Sequence, residues 1–361
     1  MFNMKIFKAN ITSSVIDFFE NLKGFSFEKI NVKLKSICGI NSFFNNQLEL
    51  DELVETISVN KNIIKEPDRA EYGDFQTNRN LSDNICSVLK KSDINPEIIL
   101  EPTCGKGNFI ISSLNTFDNI KYVYGIEIYK PYVWETKFAI LDYFLNNNKS
   151  NPPEINIYHY DIFDFNFNVI YGKHKEQKIL IIGNPPWVTN SKLSSLGSNN
   201  LPIKSNFKNH NGFDAITGKG NFDIGEYISI KLISVFSKLN GYFALLVKNT
   251  VVKNILLEQN KTKYRISNIK QFNIDAKKEF NVSVNACLFL CSFNKKSDTI
   301  IKEYDFYTNN LINEYGWVDN KFVANVALYL KSKDIDGKFP FVWRQGFKNN
   351  GVRKNKRTLC Q

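Results

Sequence analysis

A chain of 361 residues, 43% hydrophobic and 14% aromatic, can hold one large domain with appended pieces around a sizeable core. Its 47 Lys and Arg against 36 Asp and Glu give a formal charge of +11, which suits a polyanion or an anionic membrane surface without choosing between them. No apolar run reaches the roughly 20 residues of a transmembrane helix, and Lys5, Lys8 and Asp17 interrupt the N-terminus, so the expectation is a soluble, cytoplasmic protein.

Residues 1–66 carry mixed helical periodicity, as in Ser14 to Leu22 and Leu48 to Ile57, and no chemical motif. They read as an accessory helical segment. From Ile98 onward short β-rich runs alternate with helical stretches. Strands are expected at Ile98 to Leu100, Tyr122 to Ile128, Ile155 to Tyr160, Ile179 to Ile182, Tyr242 to Val247, Ile269 to Ile274 and Ala286 to Phe293. Helices fit at Asn108 to Phe117, Pro131 to Asn146 and Phe222 to Leu239. The alternation predicts an α/β, Rossmann-like sheet, mainly parallel and covered on both faces, with ligands at the carboxyl ends of its strands.

The first strand runs into Glu101-Pro102-Thr103-Cys104-Gly105-Lys106-Gly107 and then a helix. Gly105 and Gly107 permit positive φ and close backbone approach, although such a pair alone fits any strand-to-helix turn. Glu101 at the strand end and Glu127 at the end of the next strand, where a ribose-binding carboxylate belongs, strengthen the reading. A dinucleotide enzyme would want a third glycine where Ile110 stands, which disfavours a nicotinamide oxidoreductase. The loop suits a cofactor without phosphates, such as S-adenosylmethionine, with Glu101 near its cationic end. Asp161, at the end of the third strand, would accept from an adenine amino group, or would simply cap a turn.

The fourth strand stops at Asn184-Pro185-Pro186-Trp187. Consecutive prolines end a ladder and leave carbonyls unpaired. An exocyclic base amine is a poor nucleophile because its lone pair is delocalised into the ring. The Asn184 side-chain oxygen and the Pro185 carbonyl could accept its two hydrogens and free that lone pair, with Trp187 stacked on a base taken out of the duplex. The following residues, 188–221, are rich in Ser, Asn, Gly and Lys and read as a long functional loop. The six cysteines show no paired CxxC spacing, so neither a metal site nor a disulfide framework is expected. Cys287 and Cys291, four apart in a strand, read as core.

Together these residues resemble the amino-methyltransferases, and in particular the gamma-type adenine-N6 DNA methyltransferases of restriction-modification systems. Tyr72-Gly73-Asp74-Phe75-Gln76-Thr77 resembles their motif preceding the glycine loop, with Thr77 at the methionine end of S-adenosylmethionine. Glu101 to Phe109 resembles the glycine motif, Glu127 the ribose carboxylate, Asp161 the adenine contact and Asn184 to Trp187 the catalytic tetrapeptide. Glu279 to Ala286 resembles the motif whose aromatic residue, here Phe280, stacks on the flipped base, although a core Phe fits as well.

The resemblance covers residues 67–295 and implies a seven-stranded sheet with its last strand antiparallel, DNA as partner and S-adenosylmethionine as cofactor. Beyond it, 296–361 would begin a target-recognition region. Phe341 to Lys348 is similar to the start of one, but the sequence stops 13 residues later, and nine Lys or Arg stand against two Asp in 331–361. The expectation is therefore a truncated or split enzyme, with recognition supplied by another chain and a cognate restriction nuclease as a further partner. RNA-base and protein-glutamine methyltransferases share the Asn-Pro-Pro-aromatic corner, and a non-catalytic remnant of the fold remains an alternative.

Overall fold

The computed structural model describes residues 11–22, 24–59, 75–147, 149, 151–189 and 223–330. Residues 190–221 of the expected loop, the residues Tyr72 to Asp74, and the basic stretch after 330 lie outside them.

Four strands carry the centre: β1 (Ile98–Glu101), β2 (Tyr122–Glu127), β3 (Glu154–His159) and β4 (Ile179–Gly183), all parallel. They are followed by β5 (Gly241–Lys248), β6 (Ile266–Ile274) and β7 (Ala286–Phe293). The order across these seven is β3-β2-β1-β4-β5-β7-β6. Only β7 runs antiparallel to its neighbours in this set. The fold is thus the expected α/β methyltransferase-type sheet.

Three strands lie beyond those expected. β8 (Ile300–Asp305), β9 (Leu311–Val318) and β10 (Lys321–Val323) extend the same sheet past β6, making ten strands among the described residues. Their burial explains why the sequence pattern does not reveal them: the start of β9 is exposed and most of β8 only half-buried. Strands with so little buried surface give a weak apolar pattern.

β1 and β4 are buried along their whole length, as helices on both faces require. Successive residues alternate between two core layers. Ile99, Leu180, Ile182, Ala244 and Leu246 enter one layer, and Ile98, Leu100, Ile179, Ile181, Phe243 and Leu245 the other. Cys287 and Cys291 share the second layer, on one side of their strand. The first layer is covered by α1 (Ser13–Glu20), α2 (Phe27–Cys38), α3 (Gln47–Val59), α4 (Arg79–Lys91), α5 (Asn108–Thr116) and α6 (Lys130–Asn147). The second is covered by α7 (Asn168–Lys173), α8 (Ile224–Phe236) and α9 (Asn249–Thr262). α4 buries Leu81, Ile85 and Leu89, a spacing of four that places them on one face.

The N-terminal helices belong to the first core layer rather than to a detached unit. After α2, Gly39 takes φ +76°, and a Cβ there would lie 1.9 Å from the Pro153 carbonyl oxygen. Glycine permits that approach, and Ile40 then forms a parallel bridge to Ile155 at the edge of β3. The ammonium of Lys137, 3% exposed on α6, donates to the carbonyls of Phe43 at 2.6 Å and Ser42 at 3.1 Å. It also sits over the Trp134 ring at 4.9 Å. Burial lowers its pKa to about 8.

Lys137→Ala is expected to cost about 2–4 kcal/mol, from lost packing and two stranded carbonyls, read by urea denaturation. The pH dependence has a definite sign. The folded pKa lies below the unfolded value of roughly 10.4, so the unfolded chain binds more protons between the two. Wild-type stability, relative to the alanine variant, should therefore rise with pH across that window. A flat or falling difference would refute the buried ammonium.

Candidate active site

Strand order reverses between β1 and β4, and a cleft lies at the carboxyl ends of the strands there, the place where open α/β sheets bind ligands. Thr77, Glu101, Gly105, Glu127, Asp161, Asn184 and Pro186 all line it, as do Phe75, Gln76, Asn108, Tyr129, Tyr132 and Tyr160. Gly107, Pro185, Trp187 and Phe280 do not.

The glycine loop leaves β1 and is tied down from three sides. Gly105 N–H donates to Glu127 Oε2 at 2.8 Å, Thr136 Oγ1 donates to the Gly105 carbonyl at 2.8 Å, and Lys106 N–H donates to Gln76 Oε1 at 3.3 Å. Both glycines have positive φ, +52° at Gly105 and +79° at Gly107. A Cβ at Gly105 would press on Gln76, and one at Gly107 on Thr136. Gly107 is the N-cap of α5, so its role is to turn the chain into the helix rather than to face the cleft.

Two carboxylates stand at the ends of β1 and β2. Glu127, 8% exposed, accepts from Gly105 N–H through one oxygen and from Tyr129 N–H, at 2.8 Å, through the other. Glu101 is 2% exposed and accepts from the Ile110 N–H in the first turn of α5. Burial pushes its pKa well above the usual carboxylate range, and the charge of Glu127 adds to the rise. Its Oε2 has no hydrogen-bond partner among the described residues. Asp161, half-buried, accepts from Phe163 N–H at 2.8 Å, and burial raises its pKa.

At the end of β4 the Asn184 Nδ2 donates to the Phe75 carbonyl at 2.8 Å. Because that carbonyl can only accept, the amide orientation is determined, and Oδ1 is the group left over. Oδ1 is buried without a partner among the described residues, as is Thr77 Oγ1. Three cleft-lining residues thus hold buried oxygens that lack partners among the described residues and are free to meet a ligand.

Behind the tetrapeptide, Trp187 is 5% exposed and donates from Nε1 to the Leu246 carbonyl at 3.3 Å. Its ring meets Phe280 edge to face, with centroids 5.0 Å apart, and Phe75 at 5.8 Å. Beside Pro186, Gly225 opens α8, and Asp223 caps that helix through Gly225 N–H while pairing with Lys248 at the end of β5. Thr189 bridges to Asp223 next to the Pro-Pro corner. Thr136, Asp223 and Lys248 leave no motif in the sequence: each contributes through a neighbour brought in by the fold.

No protein-family model matches the sequence. The chain is similar to the Type II methyltransferase M.NspV of Nostoc sp., with 40% identity over 291 residues, 79% of this chain and 58% of that protein. It therefore spans a little over half the length of that curated relative. Among solved structures it resembles the methyltransferase subunit of a type I restriction-modification system from Streptococcus thermophilus, at 11% identity and TM-score 0.44, covering 90% of this chain and 73% of that one. It also resembles a chain of the DrdV–DNA complex, at 14% identity and TM-score 0.45, covering 66% and 28%.

A buried, raised-pKa carboxylate facing a ligand site has a thermodynamic signature. A cation placed against Glu101 favours its ionised form, so binding releases a proton and affinity rises with pH up to the raised pKa. Calorimetry with S-adenosylmethionine in buffers of different ionisation enthalpy should detect this release, and Glu101→Gln should abolish it. Undiminished release from the variant would take Glu101 out of the role.

Proposed function

We propose that this chain transfers a methyl group from S-adenosylmethionine to the exocyclic N6 of an adenine turned out of DNA, as the modification component of a restriction-modification system. The observation that carries the reading is the amide of Asn184, whose nitrogen is spent on the Phe75 carbonyl while its buried oxygen lacks a partner among the described residues.

The cleft fits the cofactor. Glu101 Oε2 and Thr77 Oγ1 are unpartnered oxygens suited to the cationic methionine end. Glu127 and Asp161 both line the cleft, and we assign Glu127, at the end of β2, to the ribose hydroxyls and Asp161 to the adenine amine. S-adenosylmethionine, when bound, supplies a methyl group on a positively charged sulfur. Asn184 Oδ1 and the Pro185 carbonyl would accept the two hydrogens of the base amine, localising its lone pair and stabilising the positive charge that develops on nitrogen, and the methylated nitrogen would then release one proton to solvent. No residue need serve as a covalent nucleophile.

Trp187 and Phe280 are the rings we assign to the base. They now touch one another, so admitting a base between them requires their separation, at a cost offset by stacking. The similarity to a Type II methyltransferase supports DNA as the partner. A cognate nuclease, or a separate chain supplying target recognition, is proposed as a further partner. A cytoplasmic location follows from that reading. Among the described residues no helix is long and apolar enough to cross a membrane.

Labelled S-adenosylmethionine offered with DNA, RNA and protein pools tests the proposal. Label should enter DNA as N6-methyladenine in a fixed sequence context, and Asn184→Ala should lower the rate about 10²–10³-fold. Label confined to RNA or to protein glutamine would overturn the substrate assignment. Cofactor binding without transfer to any pool would point to a non-catalytic remnant.

A further inference from the structure

Phe75, Gln76, Thr77 and Asn78 are consecutive, yet each grips a different part of the molecule. The Phe75 carbonyl accepts from Asn184 Nδ2 at 2.8 Å. Gln76 Oε1 accepts from Lys106 N–H in the glycine loop at 3.3 Å. The Thr77 carbonyl accepts from Asn108 Nδ2, in the first turn of α5, at 2.8 Å. Asn78 Nδ2 donates to Glu279 Oε2 at 3.3 Å, while its Oδ1 caps α4 through Leu81 N–H. Glu279 lies on α10 (Ala276–Phe280), the turn that carries Phe280, and its other oxygen accepts from Tyr307 OH at 3.0 Å. Tyr307 follows β8 in the added part of the sheet.

We propose that residues 75–78 are a positioning strap that sets the orientation of the Asn184 amide, with Asn78 and Glu279 as positioning residues that anchor its far end. An amide can turn over by exchanging its oxygen and nitrogen. With the Phe75 carbonyl in place only one orientation is paired, and that one keeps Oδ1 available to a substrate amine. The carbonyl stays in place because Gln76 and Thr77 are bonded to the cofactor loop and its helix, while Asn78 is bonded to α10. Occupancy of the cofactor cleft and the seating of Phe280 therefore bear on the same amide through one short segment. The inference deepens the methyl-transfer reading and rests on it for its catalytic consequence, but the orientation of Asn184 can be observed without turnover.

Asn78→Asp separates the two jobs of that side chain. Aspartate still caps α4, while its carboxylate repels Glu279. Adding Glu279→Gln restores the pair with donor and acceptor exchanged, and the oxygen of the introduced amide still accepts from Tyr307. Two readouts apply to the full chain: the side-chain NH₂ resonances of Asn184, identified by their loss in Asn184→Asp, and steady-state methyl transfer to DNA. In Asn78→Asp the Asn184 resonances should shift or broaden. The value of kcat should fall about tenfold while cofactor affinity changes little, since misplacement acts on the reacting geometry. Both effects should revert in Asn78→Asp/Glu279→Gln.

Unchanged Asn184 resonances in Asn78→Asp would overturn the strap, whatever the activity. Equal losses of kcat and thermal stability, with no rescue by the double variant, would mean a merely structural contact and would also overturn it. If the resonances respond and revert but the wild-type chain methylates no DNA, the strap stands and the functional proposal falls.

Discussion

Parallel strands need crossover connections, and the chain leaves β1 toward β2 on one side while β4 lies on the other. No connection can run across the gap so created, and the carboxyl ends of β1 and β4 open into it together. Every feature of the site follows from that constraint. Glu101 and Gly183 end adjacent strands, close enough that a Cβ on Gly183 would lie 3.3 Å from the Glu101 side chain. The glycine loop has to turn at once into α5, and the polypeptide after β4 has to stop pairing at once, which its two prolines enforce.

Buried polar side chains in this interior are satisfied to different degrees: Lys137 bonds two carbonyls, whereas Trp134 Nε1 and Asn249 Oδ1 are buried without partners among the described residues. Around the cleft a carboxylate oxygen, a hydroxyl and an amide oxygen are buried without partners among the described residues. Such groups destabilise a fold by about 1–3 kcal/mol each. The two core layers that clamp β1 and β4 are what make this tolerable, because strands buried from end to end cannot shift to relieve it. A ligand that satisfies these atoms would stabilise the chain by mass action.

Much of the centre is legible in the sequence because its signals are local. Four aliphatic residues before Gly183 and Asn184 announce a buried strand, two prolines announce its end, and Glu127 falls at the expected distance after the glycines. Residue types and positions along one strand-turn-helix unit suffice for that. What the sequence hides is what depends on distant pairing. Nothing near Phe75 in the chain indicates that its carbonyl would hold the Asn184 amide, since 109 residues separate them. Asp223 and Lys248 are ordinary charged residues until α8 and β5 bring them together. The strands β8 to β10 are hidden for another reason: a strand with a wet face lacks the continuous apolar run that marks β1 and β4. Trp187 and Phe280 read as partners for a base, and the fold sets them first as partners for each other.

The bridge from Ile40 to Ile155 also decides what the sheet can do at its borders. Asn41 N–H and the Gly39 carbonyl occupy backbone groups of Ile155 that a further strand would need, so pairing there is blocked at the start of β3. The opposite border of the described sheet is β10, only three residues long, a poor template for another strand. A broad, strongly apolar sheet invites edge-to-edge association. Among the described residues this one meets that hazard with its own N-terminal segment on one side and with brevity on the other, and none of the residues of that bridge or of β10 lines the cleft.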